Sequence, residues 1–318
     1  MEKVLVISTG GTILSADRGD GVLPDAGAAR SVLSKAEEIL NAKGCRCEIC
    51  QMFGCAGVDS SDVSPAEWLA LSKKINEEAE RGVKKFLVVH GTDTMAYTAA
   101  WLSLTAPAGV SVVLTGSQRT PDAPDFDGEE NLRGAAKSLS SGKSGVFLHF
   151  AGKDYAGAFV HKENSSALAA YVATGRGTLP RAWKNTALGV VDWCEAAARM
   201  ELIQLHPAAL PLFSPRKIII LEGYGAGNMP RRVRAALCEA FAPCAEKPAI
   251  IAASSCAQGK KSPSFYGGVG IAGLAKENFS VFNQGSYSLE FLIALSYFSL
   301  SADAEEPEKI LSLYLEKY

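Results

Sequence analysis

The sequence predicts an α/β protein with two open, mostly parallel sheets: a larger N-terminal domain over residues 1–185, a linker over 186–213 and a smaller C-terminal domain over 214–318. Three observations lead there. The 318 residues are 47% hydrophobic and 21% charged, enough apolar material for two buried cores and too mixed a composition for a disordered chain. Short β-rich runs recur with helical stretches between them: VLVIS (4–8), FLVV (86–89), SVVLT (111–115), GVFLHF (145–150), KIIIL (217–221) and AIIAA (249–253). Such alternation belongs to parallel strands joined by crossover helices. Finally, the stretch from about 175 to 215, with TGRGTLPRAWKN and LHPAALPLFSP, is rich in Gly, Pro and turn residues and reads as a boundary, placed near 205–215.

The elements follow in order. VLVIS starts almost at once, with no basic segment leading into an apolar stretch and a small-residue cleavage site, so export is not expected and the chain reads as cytoplasmic. Cys45, Cys47, Cys50 and Cys55 invite a metal reading. Their spacing does not make the paired C-x-x-C arrangement of a zinc site, however, and Cys45 and Cys47 alternate with Arg46 and Glu48 as on one face of a strand. Free thiols are the expectation. One helix is well marked: Ser64 as N-cap, Pro65 at its first position, Glu67 closing a capping box, and Trp68, Leu71 and Ile75 on one face. The run LEFLIALSYFSL (289–300) carries Glu290 and several serines and is too short to span a bilayer. It reads as a buried helix. A net charge of −2 and a pI near 6.2 argue against nucleic acid or an anionic membrane as partner and favour a small neutral or zwitterionic substrate.

Several apolar runs end in polar clusters: TGGT (9–12), HGTDT (90–94), GSQ (116–118), GYGAGN (223–228) and SSCAQG (254–259). Parallel sheets bind ligands beyond the carboxyl ends of their strands, so these clusters are expected to line one cleft. That cleft offers hydroxyls, a carboxylate and backbone groups. His90, His149, His161 and His206 are scattered with no H-x-x-x-H pair, and no G-x-x-x-x-G-K-[ST] occurs. Neither a metal site nor a cofactor is expected. The Gly-x-Gly-x-Gly at 223–227 lacks the spacing of a dinucleotide fingerprint. His90 reads as a structural histidine. Thr12 and the pair Thr92–Asp93 suggest acyl transfer, in which a hydroxyl attacks a carbonyl once a neighbouring group takes its proton. A lysine paired with Asp93 and bonded to Thr92 would make such a relay, and backbone amides of the glycine turns would hold the oxyanion. On residue types alone, Gly-Gly-Thr after a strand is more often a plain turn.

The motifs Thr9-Gly10-Gly11-Thr12-Ile13 and His90-Gly91-Thr92-Asp93-Thr94-Met95, in that order after strands, resemble the two signatures of the bacterial-type L-asparaginase family. The resemblance continues through Asp59-Ser60-Ser61-Asp62 ahead of SPAEW, TGSQ (115–118), Asp127-Gly128 with Asn131-Leu132, and Lys162. YGAGNMP (224–230) is similar to the cytoplasmic, type I branch. It implies that Thr12 forms the covalent acyl-enzyme in hydrolysis of asparagine to aspartate and ammonia, without a cofactor. Thr92, Asp93 and Lys162 would form the second catalytic group. Asp93 would also bind the substrate amine, with Asp59, Ser60 and Ser61 holding the α-carboxylate and amine, and the Ser117 carbonyl facing the side-chain amide. A homodimer or homotetramer is implied, with Asn228 of a neighbouring subunit near the site. The alternatives are a glutaminase or other amidase of the family, or an impaired amino-acid-binding homologue. Two departures stand out. Gly21-Val22-Leu23-Pro24 has no phenol where the family carries a loop tyrosine, and Leu14 and His161 replace a small residue and a threonine.

Overall fold

The computed structural model describes residues 2–19, 21–175, 193–256 and 269–318. The chain divides into two compact units, one holding the described residues up to Ala173 and the other those from Thr174 onward.

In the first unit, β1 (Glu2–Ser8) leads into a hairpin of β2 (Ser15–Asp17) and β3 (Val22–Pro24). Then come α1 (Ala26–Ala42), β4 (Cys45–Gln51), α2 (Pro65–Glu80), β5 (Lys85–Val89), α3 (Met95–Thr105), β6 (Ser111–Thr115), α4 (Gly128–Leu139), β7 (Gly145–Phe150) and β8 (Lys153–Ala156). The main sheet has the order β4-β1-β5-β6-β7-β8. All its pairs are parallel except β7 with β8. Its inner strands β1, β5, β6 and β7 read as nearly unbroken apolar runs because both faces are covered. Val4, Val6, Leu87, Val89 and Val113 pack under α1 and α4, while Leu5, Ile7, Phe86, Val88, Val112 and Leu114, alternating with them, are buried on the other face. Helix α2 begins as the sequence predicts: Glu67 Oε2 accepts the Ser64 amide at 2.8 Å, and Trp68, Leu71 and Ile75 are buried.

The order matters for function. From β1 the chain steps to β4 on one side, then returns to β5 on the other, so its winding reverses between β1 and β5. The crevice beyond the carboxyl ends of two such strands is where open α/β sheets bind ligands. Outside the main sheet, β9 (Val160–Lys162) and β10 (Tyr171–Ala173) form an antiparallel ribbon that sets Lys162 opposite Tyr171.

The second unit holds α5 (Trp193–Ala198), β11 (Met200–Gln204), β12 (Ile218–Gly223), α6 (Arg231–Phe241), β13 (Ala249–Ser254), β14 (Val281–Asn283), α7 (Leu289–Ala302) and α8 (Glu308–Leu311). Its four strands, β11-β12-β13-β14, are all parallel. Helix α7 is the buried helix expected at 289–300, capped by Ser288, whose hydroxyl accepts the Phe291 amide at 3.2 Å. No helix among the described residues is long and apolar enough to cross a membrane. Part of the stretch expected as linker is a helix and a sheet strand, α5 and β11. Residues 186–192 of that stretch lie outside the described residues.

Candidate active site

The site begins with backbone contacts. Gly11 sits at φ +91°, where a side chain is strained, and a Cβ there would lie 2.1 Å from the Gly91 Cα. A Cβ on Gly91 would in turn lie 2.5 Å from the Ser60 hydroxyl. The loops after β1 and β5 and the 59–62 segment therefore touch through glycine, and Thr12, Thr92, Asp93 and Ser60 gather at the sheet's switch point. Thr12 opens a 3₁₀ turn, Thr12–Leu14, whose Ile13 and Leu14 are fully buried. That anchors the turn and leaves Thr12 half-buried.

Lys162 joins this cluster from the ribbon. Its ammonium donates to Thr92 Oγ1 at 2.8 Å and to Asp93 Oδ1 at 2.6 Å. The sequence leads one to expect a lysine paired with Asp93 and bonded to Thr92, and Lys162 makes both bonds. Tyr171, opposite Lys162 in the antiparallel register and so on the same face, donates its hydroxyl to the Thr92 carbonyl at 2.6 Å. Thr92 Oγ1 donates to Gln118 Oε1 at 3.2 Å, and Gln118 Nε2 donates to the Ala167 carbonyl at 3.0 Å. Sequence reasoning assigns no role to Gln118 or Tyr171. The first lies within a motif, whereas no local pattern marks the second.

The Asp127–Asn131 motif acts as a brace. The Asp127 carboxylate accepts the Gln118 and Arg119 amides at 3.1 and 3.0 Å, and Asn131 Nδ2 bonds both Asp127 and the Gly116 carbonyl at 3.0 Å. Ser117 is buried with its hydroxyl donated to the Arg119 carbonyl. Of the expected binding residues, Asp59 accepts the Ser61 amide and hydroxyl, both at 2.8 Å, and the buried Ser60 offers its carbonyl to Thr94 Oγ1 at 2.7 Å. Asn228 lies in the second unit, in the tight turn after β12, where its amide donates to the Tyr224 carbonyl at 2.8 Å. Its Oδ1 is buried with no hydrogen-bond partner among the described residues.

His90 is fully buried and belongs to packing. Trp68 Nε1 donates to Thr98 Oγ1 at 3.2 Å, and Thr98 bonds His90 Nε2 at 2.9 Å, while His90 Nδ1 meets the Gly91 carbonyl at 2.8 Å. Because a carbonyl only accepts, Nδ1 carries the hydrogen and Nε2 accepts from Thr98. Burial lowers this imidazole to about 4, so it is neutral at physiological pH. Cys45, Cys47, Cys50 and Cys55 are free thiols. Burial pushes Cys47 up to about 11, with the Glu37 charge adding to it. Val22 and Leu23 stand exposed on the β2–β3 hairpin.

Fold and site together define a doubly wound α/β protein whose switch point brings together two threonines, an ammonium and a carboxylate, the groups that hydroxyl-based acyl transfer uses. The family model described as "Asparaginase, N-terminal" matches residues 3–190. The chain belongs to the asparaginase family. It is 28% identical over 293 residues to an L-asparaginase of Thermococcus kodakarensis, covering 85% of this chain and 82% of that one. The solved thermostable L-asparaginase of the same organism superposes with a TM-score of 0.72 at 25% identity, over 97% of this chain and 96% of that one. The chain is also 30% identical over 149 residues to one component of the glutamyl-tRNA(Gln) amidotransferase of Methanococcus maripaludis, covering 46% of this chain. The match spans 34% of the length of that relative. A probable cytoplasmic L-asparaginase of Campylobacter jejuni shares the fold over the full length of both chains, with a TM-score of 0.78 at 21% identity.

Proposed function

We propose that this chain hydrolyses L-asparagine to L-aspartate and ammonia through an acyl-enzyme on Thr12. The observation that carries this reading is the Lys162 ammonium bonded at once to Thr92 and Asp93, at a switch point where Gly11 lies against Gly91. Thr12 Oγ1 attacks the side-chain amide carbon, and the tetrahedral oxyanion is held by backbone amides of the glycine turn. Collapse breaks the C–N bond, and the departing nitrogen leaves protonated as ammonia. Water then cleaves the Thr12 ester and releases aspartate. The Thr12 hydrogen passes to Thr92 Oγ1 as the Thr92 hydrogen passes to Lys162, which has first yielded a proton to the Asp93 carboxylate it touches, and the relay returns a proton to the departing nitrogen. Asp93, whose side chain is 64% exposed, also meets the substrate amine, with Asp59, Ser60 and Ser61 around the α-carboxylate and the Ser117 carbonyl on the amide. No step calls for a cofactor. The resemblance of the 224–230 motif to the type I branch supports a cytoplasmic homo-oligomer in which Asn228 reaches a neighbouring copy's site.

A second reading keeps the chemistry and changes the amide to glutamine, because relatives include components of glutamyl-tRNA(Gln) amidotransferases. Initial rates of ammonia release from asparagine, glutamine and D-asparagine separate the two. Thr12→Ala should abolish turnover on every amide while aspartate binding persists, because a cleft hydroxyl contributes little to packing. Retention of most of the activity in Thr12→Ala would remove Thr12 as nucleophile. Aspartate binding by a parent that releases no ammonia from any of the three amides would favour an amino-acid-binding protein.

A further inference from the structure

We propose that Gln118 is a positioning residue that sets the direction of the Thr92 hydroxyl hydrogen, an inference that rests on Thr92 acting in the reaction proposed above. The direction follows by elimination. The Ala167 carbonyl can only accept, so the Gln118 atom 3.0 Å from it is the NH₂ group. The other end of the amide, 3.2 Å from Thr92 Oγ1, is therefore the carbonyl oxygen, which also only accepts. The Lys162 ammonium has no lone pair and donates to the same Thr92 oxygen at 2.8 Å. Among the described residues the Thr92 hydrogen thus has one partner, Gln118, and after Lys162 the threonine oxygen keeps one lone pair to accept from an attacking hydroxyl. With the amide reversed, two acceptors would face each other at Ala167 and two donors would compete for Thr92.

Gln118 is itself held. Its backbone amide, with that of Arg119, is bonded to the Asp127 carboxylate. Ala167 belongs to the connection between β9 and β10, where the Asn164 side chain accepts the Ala167 amide at 2.8 Å. The side chain of Gln118 therefore ties the ribbon that delivers Lys162 to the hydroxyl that Lys162 acts on. A length of 3.2 Å is long for an O–H···O bond. It directs the hydrogen at rest and gives way once Lys162, having passed a proton to Asp93, becomes the acceptor.

Gln118→Met keeps length and shape but removes the acceptor and the donor, while Gln118→Glu keeps the acceptor. We expect Gln118→Met to lower kcat about tenfold with KM within about twofold and Tm unchanged, and Gln118→Glu to stay within about threefold of the parent kcat. An unchanged kcat in Gln118→Met, a change confined to KM, or equal losses in both variants would overturn the assignment. A parent that releases no ammonia would fail the acyl-threonine reading alone. A neutron structure of the deuterated protein then decides the present one: deuterium on Thr92 Oγ1 facing Gln118 supports it, and deuterium facing Lys162 or the cleft refutes it.

Discussion

Lys162 contributes through position more than through stability. Its partner Asp93 is largely solvent-exposed, so the ion pair is worth at most about 1 kcal/mol, yet the same nitrogen bonds Thr92. Lys162→Met should therefore leave thermal unfolding nearly unchanged while lowering kcat at least about a hundredfold, the usual scale for a lost proton-transfer group. A rate near the parent's would exclude the relay. His90 behaves in the opposite way. Burial lowers its value from 6.5 to about 4, against the smaller, opposite pull of its bond to the Gly91 carbonyl. The unfolded chain binds a proton below about pH 6.5 that the folded chain does not take until about pH 4. This group's stability contribution is therefore full above 6.5 and is lost as pH falls toward 4, by up to about 3 kcal/mol. Urea unfolding from pH 7.5 to 4.5 should show that slope, and His90→Gln should flatten it. An identical slope in both proteins would assign it to other groups.

At the scale of elements, two glycines do the joining. Gly11 and Gly91 let the β1 and β5 loops meet at backbone distance, and a methyl group between them displaces one loop. Gly11→Ala should lower kcat/KM at least about a hundredfold, since a shift of about 1 Å in a catalytic group costs that much. Gly82 is the control: it has φ +95° just after α2, but a Cβ there meets nothing within 4 Å. Gly82→Ala should cost about 1–2 kcal/mol of stability from the left-handed backbone and leave kcat/KM unchanged. Equal kinetic effects from both substitutions would mean that strain, not the loop contact, is what matters. The elements also divide by legibility. The long apolar strands and the capped α2 are evident in the sequence because burial on both faces and a capping box leave local patterns. β11 (MELIQ) is hidden in a Gly- and Pro-rich boundary because it is a sheet edge with Leu202 exposed and Ile203 buried. The short β9 and β10 strands leave no run long enough to see.

At the scale of the molecule, an assembly in which Asn228 serves a neighbouring copy can be tested by mixing. If Asn228→Ala and Thr12→Ala are each inactive, a reassembled equal mixture should regain about a quarter of the parent activity, because half of the random dimers carry one site with both residues intact. No recovery after verified subunit exchange, or full activity in Asn228→Ala alone, would remove Asn228 from a neighbour's site. The four-stranded parallel sheet that carries Asn228 beyond β12 has its own core, with Ile219, Leu221, Ile250 and Val281 fully buried under α6.

The sequence by itself determined the α/β class, the strands that carry the polar loops, and the residue types of the candidate site: Thr12, Thr92 and Asp93 lie in motifs that read locally along the chain, whereas Lys162 is marked only by the family resemblance. Tertiary structure decided how those loops meet. Strand order placed β1 beside β5, and no local pattern records which strands become neighbours. Antiparallel register set Tyr171 across from Lys162, and a pairing between short strands is fixed only when both have somewhere to pack. The direction of the Thr92 hydrogen was decided last. It depends on a carbonyl 49 residues from Gln118, and a hydrogen bond of that span exists only once the chain between its ends has folded.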